Sequence, residues 1–404
     1  WLWAGAGVLL LVWALLDATL VLLRRKIRLE RQVPGRFALG VPARVRVRLV
    51  NELSSARRIR FIDGTPAVSE AEGLPWSGRL AGKGYVELAY ELAFSERGEF
   101  TFAPAQILES APLRLWERFQ LLGGESTTKV YPNYQPLVRY ALLALEHRQE
   151  LSGIVRKNRA GLSKDFHQLR EYHQGDALSQ IDWKASAKRQ ELISRDYQEQ
   201  RDQTIIFMLD GGRRMRAMDG ELSQFDRTLN SLLFLSYLAL RQGDQVGILG
   251  FGGTRRWLPP VKGMHHMTTV LNHLYDYETA PFPSDFSEAA EDLLRHQRKR
   301  AMIVLLTNLR GEDGDDLVEP LRRLRRRHLV ILASLREQAL DQLVDQPIHD
   351  LESSLGYLAA LDYQMEREET LRRLGAHGIV TIDETARKFP VALANAYLAT
   401  REAL

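Results

Sequence analysis

Thr204 to Asp210 reads T-I-I-F-M-L-D, five consecutive apolar residues with a carboxylate at the end. A run of this length, with β-branched and aromatic members, is what a strand covered on both faces requires. It predicts a strand of a parallel sheet that carries Asp210 to its C-terminal end. Ala301 to Thr307 (A-M-I-V-L-L-T) repeats the pattern and is followed by Asn308. Between and beyond these runs, residues 203–404 alternate strand and helix periods. Strands are expected at 204–209, 245–251, 255–258, 301–307, 329–335 and 378–382. Helices are expected at 225–242, 265–275, 286–295, 315–327, 358–374 and 385–401. The 255–258 strand follows Gly252-Gly253 too closely for a crossover, so it must be an antiparallel hairpin partner. The expectation is a doubly wound, Rossmann-like α/β domain with one antiparallel strand. Such sheets bind ligands outside the strand C-termini, where the winding order reverses. Here that point falls between Asp210 and Asn308.

Residues 29–130 carry a different period. Ala43 to Val50 (A-R-V-R-V-R-L-V) and Tyr85 to Phe94 (Y-V-E-L-A-Y-E-L-A-F) alternate every second residue, as half-buried strands do. Asp63-Gly64-Thr65-Pro66, Gly82-Lys83-Gly84 and Arg97-Gly98 mark turns. Several short strands at this spacing predict an antiparallel β-sandwich, Ig-like in general form. Arg44, Arg46 and Arg48 read as a solvated face, or as charges that blunt an edge strand.

Residues 1–23 contain one charge, Asp17. About 20 apolar residues span a bilayer as a helix, and Trp1 and Trp3 suit an interface. No basic stretch precedes the run and no A-x-A site follows it, which argues against a cleaved leader. The chain begins on Trp rather than Met, and an earlier hydrophobic segment is expected. Arg24, Arg25, Lys26 and Arg28 follow the run, so the positive-inside rule places the remaining chain in the cytoplasm.

Composition narrows the function classes. The chain has 404 residues, 26% charged, a formal net charge of +4 and no cysteine. Disulfides, thiolate metal sites and cysteine nucleophiles are excluded. The small net charge argues against a general nucleic-acid binder. Gly78 to Gly84 lacks the spacing and the Ser/Thr of a P-loop. The His265, His266 and His273 group lacks carboxylates at metal spacing. No nucleophile elbow surrounds Ser186 or Ser194.

Residues 131–202 form a linker holding one dense motif. Phe166 to Lys188 reads F-H-Q-L-R-E-Y-H-Q-G-D-A-L-S-Q-I-D-W-K-A-S-A-K. It gathers Arg170, Glu171, Asp176, Asp182, Lys184 and Lys188 around Phe166, Tyr172 and Trp183. Two readings lead, with catalysis by Asp176 and Asp182 as paired carboxylates a distant third. The charges pair and clamp the segment onto the following domain, with Trp183 buried, or the same residues form a partner-docking surface. A helix is expected at 137–151, and 152–163 reads as a Gly- and base-rich connection.

Two resemblances follow from these residues. The strand order, the hairpin and the strand-end Asp210 resemble a von Willebrand A domain, whose Mg²⁺ sits on an Asp-x-Ser-x-Ser loop, a Thr and a further Asp. In this chain Gly212 and Arg214 stand at the two Ser positions, Ser284 and Asp285 near the Thr position, and Asn308 at the last Asp. The resemblance thus implies a degenerate metal face, with Asp210 as its one retained ligand and Asp285 as a substitute. No cofactor is expected beyond weak Mg²⁺. Phe166, Leu169, Arg170, Tyr172, Gly175, Asp176, Ile181, Asp182, Trp183, Ala185, Ser186 and Ala187 resemble the motif of a bacterial membrane-anchored family, domain-of-unknown-function family number 58, encoded beside MoxR-type AAA+ ATPases. That resemblance implies a non-enzymatic adaptor or scaffold at the inner membrane, facing the cytoplasm. Its implied partners are the lipid bilayer, a MoxR-type AAA+ ATPase and client or envelope proteins in assembly or maturation. The alternative is a Mg²⁺-dependent ligand receptor using the A-like face.

Overall fold

The computed structural model describes residues 2–134, 136, 166–172, 181–189, 191–197, 203–220, 222–310 and 314–403. The chain divides into two compact units, Trp1–Asn133 with Thr268–Glu278, and Tyr134–Met267 with Thr279–Leu404. The expected 137–151 helix and 152–163 connection lie outside the described residues.

The first unit opens with a helix, Leu2–Leu22. It is long and apolar enough to cross a membrane, a test that a leader sequence also passes. Ten strands follow: β1 (Arg28–Gln32), β2 (Arg36–Ala38), β3 (Ala43–Val50), β4 (Arg57–Gly64), β5 (Ser69–Glu72), β6 (Trp76–Leu80), β7 (Tyr85–Phe94), β8 (Gly98–Ser110), β9 (Glu117–Leu122) and β10 (Ser126–Tyr131). They form one sheet in the order β1-β3-β7-β5 and a second in the order β2-β10-β8-β4-β6, with β9 on β8. Every pairing is antiparallel except β2 with β10.

The alternation read in the sequence sets the inner faces. Val45, Val47 and Leu49 of β3 and Tyr90, Leu92 and Phe94 of β7 are buried, as are Ile59 and Phe61 of β4. The sheets meet where Phe37 of β2 packs edge-on against Phe94 of β7, ring centroids 4.9 Å apart. The arginines of β3 stay outside, Arg44 near Glu91 and Arg48 near Glu87 at 3.8 Å each. β3 lies between β1 and β7, so these cations do not guard an edge.

Two buried ion clusters tie this unit together. Asp63 accepts from Arg31 at 2.7 Å and from the Tyr90 hydroxyl at 2.6 Å. Burial, then the bond to Asp63, raises the Tyr90 pKa. Glu109 is fully buried and takes Arg24 at 3.0 Å, Gln120 at 3.1 Å and Arg57 at 3.5 Å. Arg24, read in the sequence only as one of the cations that follow the apolar run, turns inward here. Its guanidinium neutralises an interior carboxylate, because a buried charge needs a partner. Thr268–Glu278, expected within the α/β domain, joins this unit instead. The Tyr131 hydroxyl donates to Asn272 Oδ1 at 2.7 Å, and the Tyr131 and Tyr275 rings lie 5.4 Å apart.

The second unit begins with β11 (Phe166–Glu171) and β12 (Ile193–Tyr197), an antiparallel pair. The main strands are β13 (Thr204–Asp210), β16 (Gln245–Phe251), β17 (Arg256–Lys262), β18 (Met302–Thr307), β19 (Leu329–Arg336) and β20 (Val380–Thr385). A minor hairpin, β14 (Met218–Asp219) and β15 (Leu222–Ser223), intervenes. The sheet order is β17-β16-β13-β18-β19-β20. All neighbours are parallel except the β16–β17 hairpin.

Winding reverses between β13 and β18, as expected. One face of the sheet, with Ile206, Met208, Ile303 and Leu305, packs against Phe286, Leu293, Leu317 and Leu321 of the helices Phe286–His296 and Gly314–Arg325. Helices Gln224–Arg241 and Phe389–Ala403 pack on each other. The first of these buries Leu229, Leu232 and Leu233. Strand residues alternate between faces, which leaves Ile205, Phe207 and Leu209 to the opposite side of the sheet. Asp350 and Ser353 form a reciprocal capping box on the long helix Leu351–Ala376.

Candidate functional site

The carboxylate of Asp210 lies at the sheet's switch point and is buried. Its Oδ1 accepts the Gly212 amide at 2.8 Å and the Ser284 hydroxyl, and its Oδ2 accepts the Thr307 hydroxyl at 2.6 Å. Burial raises its pKa. The hydrogen bonds from Ser284, Thr307 and Gly212, and then the charge of Arg214, oppose that rise without cancelling it. The cleft outside is lined by Gly212, Arg214, Ser284, Phe286 and Asp316 among others.

Space explains the departure from the Asp-x-Ser-x-Ser pattern. A Cβ built on Gly212 would collide with Ser284 Oγ and press on Asp210 Oδ1 at 3.2 Å. Gly252, at φ +74°, is subject to the same collision. The Ser284 hydroxyl thus occupies the room that a side chain at 212 would need. Gly252 was read in the sequence only as a turn residue. Its packing against Ser284 follows from tertiary structure alone.

The remaining face residues turn elsewhere. Asp285, expected as a substitute ligand, caps the helix Phe286–His296, its Oδ1 accepting the Glu288 amide at 2.8 Å. A free N-terminal amide claims that carboxylate. Asn308 is buried and donates to Glu337 Oε1 at 2.8 Å. On its other side Asn308 accepts from Arg367 at 3.3 Å. Mg²⁺ requires hard oxygen ligands in near-octahedral array. The donors present do not fit it. Both Asp210 oxygens are engaged, a glycine and an arginine replace the two serines, and Asp285 and Asn308 are committed to other partners. Among the described residues no three His, Asp or Glu side chains converge on one ion position.

Arg367 is the residue that sequence reasoning missed. It is buried, and its guanidinium holds Asp383 of β20, Ser334 Oγ at 2.7 Å, Leu335 O at 3.3 Å and the Leu309 carbonyl. Burial works against its charge, but the bonds and charge of Asp383 outweigh it, so the pKa lies above the ordinary arginine value. One side chain therefore braces the C-terminal ends of β18, β19 and β20. The available signal was weak: an arginine within the charge-rich stretch Glu366 to Arg373 reads as solvent-facing.

The motif segment is described in part. Gly175 and Asp176 lie outside the described residues. Phe166 and Arg170 are placed by backbone only, on β11 opposite Tyr197 and Ser194. The Tyr172 amide donates to the Leu192 carbonyl at 2.9 Å. Asp182 caps the helix Trp183–Arg189, its Oδ1 accepting the amides of Lys184 at 3.1 Å and Ala185 at 3.0 Å. Ser186 fastens that helix to β12, receiving the Ile193 amide at 2.9 Å. Trp183 is 67% exposed, contrary to the burial that a clamp requires.

The Bacillus subtilis (strain 168) protein called Uncharacterized protein YeaD is 24% identical over 249 residues. The match spans 61% of this chain but 58% of that relative's length. Among solved structures, the C. elegans MSP family member WR4 is 13% identical, covering 26% of this chain and 94% of that one at a TM-score of 0.18. The cupredoxin domain of amoB from Nitrosocaldus yellowstonii is 14% identical, covering 26% and 85% at a TM-score of 0.19. Scores this low carry no argument about fold. The family described as "Protein of unknown function DUF58" matches residues 168–373, just over half of the chain, which takes in the motif from Gln168 onward, the switch point and Arg367. The chain belongs to the DUF58 family.

Proposed function

We propose that this protein is a membrane-anchored adaptor that binds other proteins, and that its partner is a MoxR-type AAA+ ATPase acting in the assembly or maturation of client proteins. In this reading the first unit is an Ig-like sandwich on a membrane helix, and the second is a von Willebrand A-like domain facing the bacterial cytoplasm. The reversal of winding at Asp210 and the single antiparallel hairpin support the A-like assignment. Integration of the helix into the sandwich's hydrogen bonds favours an anchor over a removable leader.

The observation that carries the adaptor reading is Trp183. An exposed indole is held on a capped, anchored helix beside the exposed Lys184. Rigid aromatic anchors of this kind dominate binding energy at protein interfaces. The engaged oxygens of Asp210 give no comparable support to the Mg²⁺-receptor alternative.

The test is affinity capture of the full chain from native membranes, with and without a non-hydrolysable ATP analogue, for the parent and for Trp183→Ala. Nucleotide-dependent capture of an AAA+ ATPase, weakened by Trp183→Ala at unchanged thermal stability, is expected. Absence of any ATPase under both conditions overturns the adaptor reading. Equal capture by the variant relocates the contact away from Trp183.

A further inference from the structure

Asp17 is the single charge of residues 1–23, yet it is fully buried. Its carboxylate accepts two amides from the loop between β8 and β9, Leu113 at 2.8 Å and Leu115 at 3.0 Å. The Trp116 indole donates to the Ala14 carbonyl at 2.9 Å. Arg118 of β9 reaches the carbonyls of Val21 at 3.1 Å and Arg24 at 2.7 Å, closing the helix C-terminus. Three side chains and two loop amides thus fix this loop at one height on the helix.

That height matters. Asp17 lies five residues before Leu22, which at 1.5 Å per residue is about 8 Å inside the end of the helix. Around it the loop and strand turn apolar groups outward. Leu113, Leu115 and Trp116 are about half exposed, as are Phe119 and Leu121, the outward positions of β9. Gln120 between them points inward to Glu109. Leu16 and Leu20 of the helix are likewise about half exposed. Cations flank these residues: Arg114 within the loop, and Arg25, Lys26 and Arg28 just past the helix, all exposed.

We infer that Leu113, Leu115, Trp116, Phe119 and Leu121 form a second membrane-contacting element, seated at the headgroup–acyl boundary of the leaflet that the helix exits. The inference rests on reading Leu2–Leu22 as a membrane span. Interfacial elements bury apolar side chains about 5–10 Å deep and place Lys and Arg at the phosphates, which matches both the depth and the charges. Trp at such a boundary is the expected residue. Asp17 is then explained: an unpaired carboxylate in a span is costly, and the loop amides that satisfy it also draw the loop to membrane depth.

The chain has no cysteine, so single cysteines give clean probes. The full chain, reconstituted into vesicles of phosphatidylcholine and phosphatidylglycerol, would carry a nitroxide at Leu10→Cys, Leu115→Cys, Phe119→Cys or Glu70→Cys. Accessibility to oxygen and to a water-soluble nickel chelate gives the depth of each. The expected result is Leu10 in the hydrocarbon, Leu115 and Phe119 at interfacial depth, and Glu70 in water. Leu10 in the hydrocarbon with Leu115 and Phe119 in water overturns this inference alone. Leu10 in water overturns the membrane reading itself. Leu115 and Phe119 shielded from both reagents, or broadened by a second nitroxide, overturns it in favour of a protein cover or a second copy.

Discussion

Arg367 and Asp383 are joined through two guanidinium nitrogens, Nη2 to Oδ1 at 2.6 Å and Nε to Oδ1 and Oδ2 at 3.0 and 3.1 Å. The pair links the long helix to the last strand, and the same guanidinium reaches two further strand ends. Removing the cation leaves Asp383 and several strand-end acceptors unpaired. Arg367→Met is therefore expected to destabilise the second unit by about 3 kcal/mol, at the lower end for a broken buried pair because Asp383 keeps some solvent contact. Arg367→Met combined with Asp383→Leu should recover part of that loss. Urea denaturation of the three variants measures both.

Asp210 makes stability depend on pH in an unusual direction. Its folded pKa lies above the ordinary value of 3.8, so the folded protein holds the proton more tightly than the unfolded chain. This contribution is fully present below the unfolded value and is lost as pH rises through the folded one. Asp210→Asn cannot titrate and lacks that slope. The stability of the parent relative to Asp210→Asn should fall from acid to neutral pH. Asp210→Ala, which orphans the Ser284 and Thr307 hydroxyls, should lose about 1–3 kcal/mol. Denaturation curves across pH check the sign.

Gly212 and Ser284 compete for one volume. Gly212→Ala should destabilise by about 1–3 kcal/mol through overpacking. Ser284→Ala removes the oxygen that the new methyl meets, so the double variant should lose less than the sum of the single losses. A double-mutant cycle by thermal or urea denaturation reads the coupling directly. Strict additivity would mean that the two positions do not contend.

Trp183→Ala should change stability by less than about 0.5 kcal/mol, as an exposed substitution does. Trp183→Phe should retain more partner capture than Trp183→Ala. A large loss of stability in Trp183→Ala, seen by thermal denaturation, would return this residue to the clamp reading.

The strands legible in the sequence were those whose period is uninterrupted. Ala43–Val50, Tyr85–Phe94 and Gln245–Phe251 run between the expected residues, because alternation or a solid apolar run is a local signal. Gly98–Ser110 is harder to read, since Pro104 interrupts its period where the strand changes neighbours. The long helix begins at Leu351 rather than 358. Ser353, Ser354 and Gly356 dilute its period, although Asp350 and Ser353 carried a cap signal.

The switch point was legible because strand ends follow from strand order. The occupants of Asp210's oxygens were not, because Ser284 and Thr307 arrive from distant parts of the chain. The fate of Asp285 was hidden for a related reason. A carboxylate before a helix has two competing uses, and the nearby amide won over a distant ion.

The contacts of Asp17 and Arg24 bear on how this protein is handled. Trimming the chain to its strands, starting after Lys26, would strip the Leu113 and Leu115 amides of their acceptor and leave Glu109 facing Arg57 and Gln120 without its nearest cation. A fragment cut to gain solubility would give up part of its own interior. The end of the first helix, with Asp17 and the Arg24 that follows it, is better regarded as part of the β-rich unit, and a preparation that retains it is the one that keeps that unit whole.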